Sequence, residues 1–278
     1  MSGEHEIKLM CETFAVSRSG YYDWLDAADS ERAQQTRALQ EEIQLIHRQE
    51  RGVYGSPRMT IALRKRGTAV GRHRVARMMR AAGLRGSQQG RFRVQTTDSR
   101  HDYPIAPNRL AKRRAPRRPN RVWVSDITGI KTGEGWLYLA GVMDRCSRRL
   151  VGWSMGPALD TTLPLSALTM AVEQRRPPPG LIHHSDRGVQ YASGAYRDAL
   201  KAHSLVASMS RRANCYDNAA MEAFWSSLKR ELVYRRRFAT RQEARIAIFD
   251  YIEAFYNRSR LHSALGYKSP LDYESNLS

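Results

Sequence analysis

The sequence predicts an α/β fold with a mixed sheet flanked by helices, preceded by small all-α units. Three observations support this prediction. From residue 122 onward, short apolar and β-branched runs alternate with amphipathic stretches of helical period. Before residue 97, every predicted element is a helix. Between these two parts, residues 98–121 contain four prolines and several basic runs, a composition that interrupts regular structure.

Residues 1–48 form a predicted N-terminal helical region. Within it, residues 4–26 predict two short helices and residues 30–48 a longer amphipathic one. Leu39 and Ile43 lie on the apolar face of the longer helix, and its opposite face is rich in Gln and Glu. Packing alone explains this pattern, so no binding role is assigned to the region.

Residues 49–97 predict a helix-turn-helix DNA-binding domain. Ser56-Pro57 combines a helix cap with proline at the first helical position, and a glycine-containing turn precedes a second helix. Basic side chains project from that second helix and suit an element that enters a DNA groove. The candidate DNA-binding residues here are Arg72, Arg74 and Arg77.

The positive charge is concentrated in one stretch of the chain. The whole chain has a net charge of +19, of which residues 51–121 carry +18, while residues 1–50 carry −5 and residues 122–278 carry +6. A single-sign segment repels itself unless a polyanion compensates, so nucleic acid is the favoured partner. An acidic protein and a membrane surface remain as alternatives for this segment.

Residues 98–120 are predicted to be a basic, proline-rich linker that follows a phosphate backbone without a fold of its own. Its candidate DNA-binding residues are Arg113, Arg114, Arg117 and Arg118. The three cysteines of the chain lie far apart, which argues against a disulfide scaffold or a Cys-rich zinc site and favours the cytoplasm. No apolar run reaches the roughly 18 residues of a membrane span.

Residues 121–278 predict an α/β core domain with C-terminal helices. Three strands separated by short turns suit an antiparallel meander, and further strands then alternate with helices. The predicted strands are 121–131, 136–144, 149–156, 181–184 and 205–209, and the predicted helices are 162–175, 193–203, 217–233 and 241–257. The order of these elements is that of the ribonuclease H fold.

Three acids lie where such a fold can use them for metal-dependent phosphoryl transfer. Asp126 lies inside an apolar strand, where a carboxylate is costly unless it is paired or bound to metal. Asp186 ends the fourth strand, and Glu222 lies early in an apolar helix. Each acid also has an ordinary structural explanation, and on spacing alone three other acids compete for the role: Asp144, Asp160 and Asp217.

Several motifs closely resemble the OrfB proteins of bacterial insertion sequences, which are transposases with a retroviral-integrase-like core. They span nearly the whole chain, and 35 residues separate Asp186 from Glu222, the interval by which these enzymes are recognised. The motifs are Val16-Ser-Arg-Ser-Gly-Tyr-Tyr-Asp-Trp24, Tyr54-Gly-Ser-Pro-Arg58, Arg74-Val-Ala-Arg-Met-Met79, Trp123-Val-Ser-Asp-Ile-Thr128, His184-Ser-Asp-Arg-Gly-Val-Gln-Tyr191, Asn214-Cys-Tyr-Asp-Asn218 and the segment from Phe255 to Tyr267.

The resemblance implies a DDE-type transposase that cleaves and transfers DNA strands at the ends of an insertion sequence. It implies that Asp126 is shared by two Mg²⁺ or Mn²⁺ ions, and that Asp186 and Glu222 each complete one metal site. The family also keeps a basic residue seven positions after the glutamate, here Lys229, near the scissile phosphate. Double-stranded DNA, further copies of the chain and an OrfA partner or fusion are the implied partners.

The chain departs from the family at a few positions, none of them an acid of the triad. Gly129 stands where relatives often carry an aromatic residue, Ala213 where they often have glycine, and Trp225 where phenylalanine is usual. The paired His183 and His184 are expected to be packed or hydrogen-bonded rather than to bind metal.

Two alternative functions stay open. The first is a DNA-binding regulator that uses residues 51–121 and an inert core, which leaves Asp126 in its strand unexplained. The second is a ribonuclease H-type nuclease that cleaves without joining, against which the N-terminal helical units and the basic linker argue.

Overall fold

The computed structural model describes residues 6–26, 30–87, 103–111, 116–210 and 218–277. The chain forms two compact units, Met1–Arg85 and Gly86–Ser278. Three of the candidate residues therefore lie outside the described residues: Arg113, Arg114 and Asp217.

The described part of the first unit contains helices and no strand. The helices are α1 (Ile7–Thr13), α2 (Arg18–Asp26), α3 (Glu31–Gln49), α4 (Ser56–Lys65) and α5 (Arg72–Ala81). Helices α3, α4 and α5 share one core, because each contributes fully buried apolar residues at helical spacing. Ile43 of α3, Leu63 of α4 and Val75 of α5 are all 0% exposed.

The turn between α4 and α5 has a local explanation in the sequence. Gly67 adopts a φ of +90°, a conformation that a side chain would strain. The guanidinium of Arg64 then donates to the carbonyl of Val70 from Nε (3.3 Å) and Nη2 (3.2 Å), which closes the turn. Thr68 donates to Glu42 of α3 at 2.8 Å, so the turn is also held to the preceding helix. The predicted pair of helices about a glycine-containing turn is present.

The second unit is built on a five-stranded mixed sheet of order β3-β2-β1-β4-β5. Strands β1, β2 and β3 form an antiparallel meander, and β4 and β5 extend the other side of β1 in parallel. The strands are β1 (Val122–Thr132), β2 (Gly135–Asp144), β3 (Leu150–Gly156), β4 (Ile182–Ser185) and β5 (Val206–Met209). The fold class predicted from the sequence is confirmed.

Helices cover both faces of this sheet. A Cβ on Gly152 would lie 2.2 Å from the carbonyl oxygen of Ala167 in α6, and a Cβ on Gly141 would lie 3.1 Å from Trp225 in α9. Gly152 pairs with Val142, the residue after Gly141, and successive residues of a strand face opposite sides. Helices α6 and α9 therefore pack on opposite faces.

The remaining helices are α6 (Thr162–Arg175), α7 (Val189–Ala192), α8 (Gly194–Ala202), α9 (Ala219–Glu231), α10 (Arg241–Asp250) and α11 (Pro270–Ser275). Four of them, α6, α8, α9 and α10, lie close to predicted helices, whereas the short α7 and α11 are not predicted from the sequence. One difference concerns the predicted helix 241–257, which is α-helical only to Asp250 and continues as a π-helical turn, Tyr251–Tyr256. Among the described residues, no helix has both the length and the apolar character needed to cross a bilayer.

Part of the proline-rich segment packs against the sheet of the second unit. Leu110 is only 1% exposed, and the backbone N–H of Arg109 donates to Ser208 Oγ of β5 at 2.9 Å. Ala106 also contacts the apolar core of the sheet. Arg117 and Arg118, farther along, are exposed. The described residues 103–111 are therefore held to the edge of the sheet.

Candidate active site

The pairing of β1 with β4 places two of the predicted acids side by side. Val122 lies opposite Ile182, and Val124 lies opposite His184. Continued by two residues, the same parallel register sets Asp186, just beyond the end of β4, beside Asp126. In a parallel sheet, residues that share a register position point to the same face. The two aspartates therefore meet at the carboxyl end of β4, where α/β folds place their ligands.

Helix α9 brings the third acid to the same face. Glu222 lies in the first turn of α9, which packs through Met221 and Trp225 against Gly141 of β2. Gly141 is the cross-strand partner of Asp126, so α9 covers the face on which Asp126 lies. The Glu222 side chain is exposed, and its charge reaches Asp126.

The pKa of Asp126 reflects the proximity of the three acids. The pKa of Asp126 is raised to about 8, chiefly by burial and in addition by the charges of Asp186 and Glu222. Hydrogen bonds from Ile127 and Trp225 lower the pKa of Asp126. An arrangement that gathers negative charge in a partly buried place favours a bound cation. Within the described ranges, however, no three His, Cys, Asp or Glu side chains converge closely enough to hold one metal ion.

Hydrogen bonds fix the orientation of both aspartates. Asp126 Oδ1 accepts from the backbone N–H of Ile127 at 2.8 Å, and Oδ2 accepts from the indole Nε1 of Trp225 at 3.0 Å. Asp186 Oδ1 accepts from the backbone N–H of Gly188 at 2.9 Å. Both carboxylates are therefore held before any ligand arrives.

Lys229 lies close enough to the site to respond to its charge. It follows Glu222 by seven residues, about two helical turns, and therefore projects from the same side of α9. Burial lowers the pKa of Lys229, and the charge of Asp126 raises it. A half-buried ammonium group beside an acid cluster suits a contact to a phosphate that approaches the acids.

The paired histidines lie in a buried polar layer. His183 Nε2 lies 2.8 Å from Ser125 Oγ and 3.1 Å from the Tyr196 hydroxyl, and His184 Nδ1 lies 2.9 Å from Ser208 Oγ. Burial lowers the pKa of His183 to about 3, so its ring is neutral at physiological pH. The expectation that these histidines are hydrogen-bonded is confirmed.

Two of the competing acids have structural roles in this fold. Asp144 is 0% exposed, and its carboxylate accepts from the backbone N–H groups of Asn120 (2.6 Å), Cys146 (2.8 Å) and Ser147 (3.2 Å). Asp160 accepts from the Thr162 hydroxyl at 2.6 Å and caps the start of α6. Neither is therefore needed to explain the acid cluster.

The candidate DNA-binding arginines lie in both units. Arg72, Arg74 and Arg77 are exposed on α5, and Arg74 Nη2 lies 3.3 Å from the Thr36 hydroxyl of α3. Arg32 of α3 also lines the open groove between these two helices. The second helix of the helix-turn-helix thus presents a basic surface, as predicted.

The sequence prediction missed Trp225 and Gly141 as parts of the site. In the sequence, Trp225 stands out only as a departure from phenylalanine, although its indole is the group that holds Asp126. The available signal was Gly141, a glycine inside an otherwise apolar strand, since such a glycine often marks a close approach of another group.

Comparison with known families agrees with this architecture. Residues 116–215 and residues 222–277 match two families that are both described as Integrase core domain, and residues 34–92 match an HTH-like domain. The first two matches contain all three acids of the cluster. The third contains α4 and α5.

The curated relatives are similar along nearly their whole length. An insertion element IS600 31 kDa protein of Shigella sonnei is 48% identical over 94% of this chain and 96% of its own. Transposase InsF for insertion sequence IS3A of Escherichia coli K12 is 39% identical over 98% of this chain and 95% of its own.

Solved structures with a similar backbone are distant in sequence. A chain of the simian T-cell lymphotropic virus intasome, in complex with a PP2A regulatory subunit, has 15% identity and a TM-score of 0.48, covering 84% of this chain and 74% of that one. The HTLV-2 integrase catalytic core domain in complex with magnesium has 16% identity and a TM-score of 0.42, covering 56% of this chain and 97% of that one.

The identity and coverage of the curated relatives, together with the integrase-core and HTH-like matches, establish the family. The chain is a DNA-binding transposase of the DDE type, a polynucleotidyl transferase that belongs to the OrfB proteins of insertion sequences.

Proposed function

We propose that Asp126, Asp186 and Glu222 carry DNA strand cleavage and strand transfer at the ends of an insertion sequence, with Mg²⁺ or Mn²⁺ as cofactor. The observation that carries this proposal is the β1–β4 register, which sets Asp126 beside Asp186 on the face that α9 covers. The charges of both other acids raise the pKa of Asp126, which supports the same assignment.

The residues at this site fit hard divalent cations. All three side chains offer carboxylate oxygen, the donor that such ions prefer, and their charges reinforce one another. Asn218 lies one turn before Glu222, and its buried Oδ1 accepts no hydrogen bond from any described residue. By resemblance to the family, we propose two ions, with Asp126 common to both. When bound, such ions activate the attacking oxygen and offset charge on the leaving oxygen.

The protein's own groups position the reacting strands. Asp126 is oriented by the N–H groups of Ile127 and Trp225, and Asp186 by the backbone N–H of Gly188. Lys229 offers a cation on the side of α9 that carries Glu222, where it would bind the phosphate next to the scissile bond. Holding reactants in place in this way converts a bimolecular step into an effectively unimolecular one.

Recognition of duplex DNA is assigned to the first unit and to the basic segment. Arg72, Arg74 and Arg77 of α5 would read the element ends, whereas Arg117 and Arg118, with Arg113 and Arg114, would contact phosphates. We also propose that the protein works in the cytoplasm as an oligomer on paired ends, with an OrfA partner or fusion. If these arginines bind phosphates, neutralising each one should make the slope of log K against log salt shallower by about 0.9.

The central experiment measures cleavage and joining of DNA that carries the element ends, with Mg²⁺ and with the OrfA partner supplied. Asp126→Asn, Asp186→Asn and Glu222→Gln should each abolish both products, and a triple variant should look like each single one, because the acids act as a unit. Asp160→Asn, an acid that caps α6, is the matched control and should keep activity.

Each alternative function has its own outcome in this experiment. Full cleavage by the Asp186→Asn variant would remove that acid from the site. Tight binding without cleavage by the unmodified protein would favour the regulator. Cleavage without joining would favour the nuclease. Full activity after exhaustive chelation would rule out the metal-dependent mechanism.

A further inference from the structure

The indole of Trp225 holds the acid that both metal ions are proposed to share. Its Nε1 donates to Asp126 Oδ2 at 3.0 Å, while the backbone N–H of Ile127 donates to Oδ1 at 2.8 Å. A carboxylate offers about four lone-pair directions, two on each oxygen. With one donor on each oxygen, Asp126 keeps one open direction on each, which is what a ligand shared by two cations needs.

We propose that Trp225 is a positioning residue for metal binding, and that its N–H group orients Asp126 toward the cations. This inference rests on the proposed function. Groups that hydrogen-bond to metal ligands fix their orientation, and their removal costs about 10–100-fold in metal affinity or activity. Among the residues that the structure describes, Trp225 is the one whose side chain donates to Asp126.

The surroundings of Trp225 hold the indole in place. Its side chain is 6% exposed, and its ring lies 4.8 Å from the ring of Phe224, centroid to centroid. The terminal carbon Cη2 lies 3.1 Å from the place where a Cβ of Gly141 would be. Gly141 is the cross-strand partner of Asp126, so the absence of a side chain there makes room for the indole beside the carboxylate. The donor therefore reaches Asp126 from a fixed direction.

Packing alone would not need this donor. Phenylalanine fills much of the same volume and has no N–H group, whereas a buried indole N–H usually takes an acceptor. A second tryptophan in the chain provides a comparison. Trp153 Nε1 donates to Glu253 Oε1 at 2.8 Å, a similar indole–carboxylate contact in which neither residue belongs to the acid cluster.

The first test measures Mn²⁺ binding to the full-length chain by electron paramagnetic resonance. Trp225→Phe should bind Mn²⁺ at least about tenfold more weakly than the unmodified protein, and Trp153→Phe should bind it equally well. The Mg²⁺ concentration that gives half-maximal cleavage should rise in Trp225→Phe by a similar factor. Wild-type Mn²⁺ affinity in Trp225→Phe would overturn the inference.

Asp126→Asn separates this inference from the function on which it rests. If Asp126→Asn abolishes Mn²⁺ binding and Trp225→Phe does not weaken it, the inference alone is wrong. If the Asp126→Asn variant still binds Mn²⁺ with unchanged affinity, the proposed metal site is wrong, and the proposed role of Trp225 is wrong as well.

A second measurement does not require a folded Trp225→Phe variant. The five tryptophans of the chain give five indole N–H resonances in ¹⁵N-labelled protein. One resonance should shift both on addition of Mg²⁺ to the unmodified protein and on Asp126→Asn substitution, because the acceptor of its hydrogen bond changes in both cases. If no indole resonance responds to both changes, the inference is overturned.

Discussion

Glu231 and Arg260 form a buried ion pair, with Oε1 of the carboxylate 2.6 Å from Nη2 of the guanidinium. Arg260 Nε also donates to Glu231 Oε2 at 2.7 Å, and the Tyr251 hydroxyl donates to the same oxygen at 2.7 Å. Ser227 accepts from Arg260 Nη2 at 3.2 Å. The pair joins the last turn of α9 to the chain that follows the π-helical turn, and so helps to hold the helix that carries Glu222 and Lys229.

Removal of one partner of this pair should strongly destabilise the second unit. Glu231→Gln leaves the buried Arg260 without its counter-charge, which costs about 3 kcal/mol or more in the free energy of unfolding. Urea unfolding followed by tryptophan fluorescence measures this destabilisation, since four of the five tryptophans lie in the second unit.

Asp198→Asn is the control for that measurement. It breaks an exposed ion pair with Lys201 at 3.9 Å and should change stability by less than about 1 kcal/mol. Adding Arg260→Met to Glu231→Gln should recover part of the stability, because no unpaired charge then remains buried. Equal stability of Glu231→Gln and the unmodified chain would show that the pair does not hold α9.

At Gly152 the backbone of α6 lies close against β3, and Gly152→Ala should therefore be severe. The added Cβ would lie 2.2 Å from the Ala167 carbonyl oxygen and 2.7 Å from the Ala171 backbone, so α6 has to move away from β3. Overpacking of this kind costs about 3 kcal/mol. At Gly194 a Cβ meets nothing within 4 Å, and Gly194→Ala should be neutral or stabilising by up to about 1 kcal/mol. Thermal unfolding compares the two variants, and equal midpoints would contradict the clash.

His183 should make the second unit sensitive to acid. Burial lowers its pKa to about 3 in the folded chain, from 6.5 as the ordinary value. A group whose pKa is lowered on folding contributes stability that is present above pH 6.5 and is lost as the pH falls toward 3. At about pH 5 the loss amounts to roughly 2 kcal/mol.

Urea midpoints at about pH 7.5 and about pH 5 measure this effect. His183→Gln should reduce the difference between the two midpoints, because the substituted side chain does not titrate. His203→Gln, at an exposed position after α8, is the control and should leave the difference unchanged. An unaltered pH difference in His183→Gln would assign the acid sensitivity to other groups.

Lys229 is expected to contribute to strand cleavage more than to folding. Lys229→Gln removes a cation whose pKa is raised by the charge of Asp126. A hydrogen bond from a charged group to the DNA phosphate contributes about 1.5–3 kcal/mol. Without it, strand cleavage should be about 10–100-fold slower. Lys201→Gln, in which the replaced side chain is 79% exposed, is the control. Wild-type cleavage by Lys229→Gln on end-containing DNA would remove the lysine from the site.

The elements of this fold were more predictable than their arrangement. Helix α6, Thr162–Arg175, matches its predicted bounds, because an acid-capped start and a run of prolines after its end are local signals. The predicted helix 241–257 has a π-helical end that hydrophobic spacing does not reveal. The parallel pairing of β1 with β4 depends on residues 60 positions apart, and no local pattern specifies it.

In the site, too, local motifs were predictable from the sequence, and contacts between residues far apart in the chain were not. Motifs, and the spacing of the last two, predict Asp126, Asp186 and Glu222 as the acids of the site. The hydrogen bond from Trp225 to Asp126 joins residues that are 99 positions apart, and it depends on the rotation of α9 over the sheet. The buried ion pair of Glu231 with Arg260 likewise needs the course of the chain after α9. Such contacts follow from tertiary packing, which sequence periodicity does not contain.

The parallel register that brings Asp126 beside Asp186 also makes the fold dependent on its ionic surroundings. Burial and the neighbouring carboxylates disfavour the charged form of Asp126, and the hydrogen bonds from Ile127 and Trp225 offset only part of that effect. A cation that binds the folded chain and not the unfolded one adds stability by mass action. Magnesium would then act on the lifetime of the protein as well as on its reaction. A chain that meets too little of the ion during synthesis would unfold more often and be exposed more to proteases, so the abundance of the transposase would follow the supply of its cofactor.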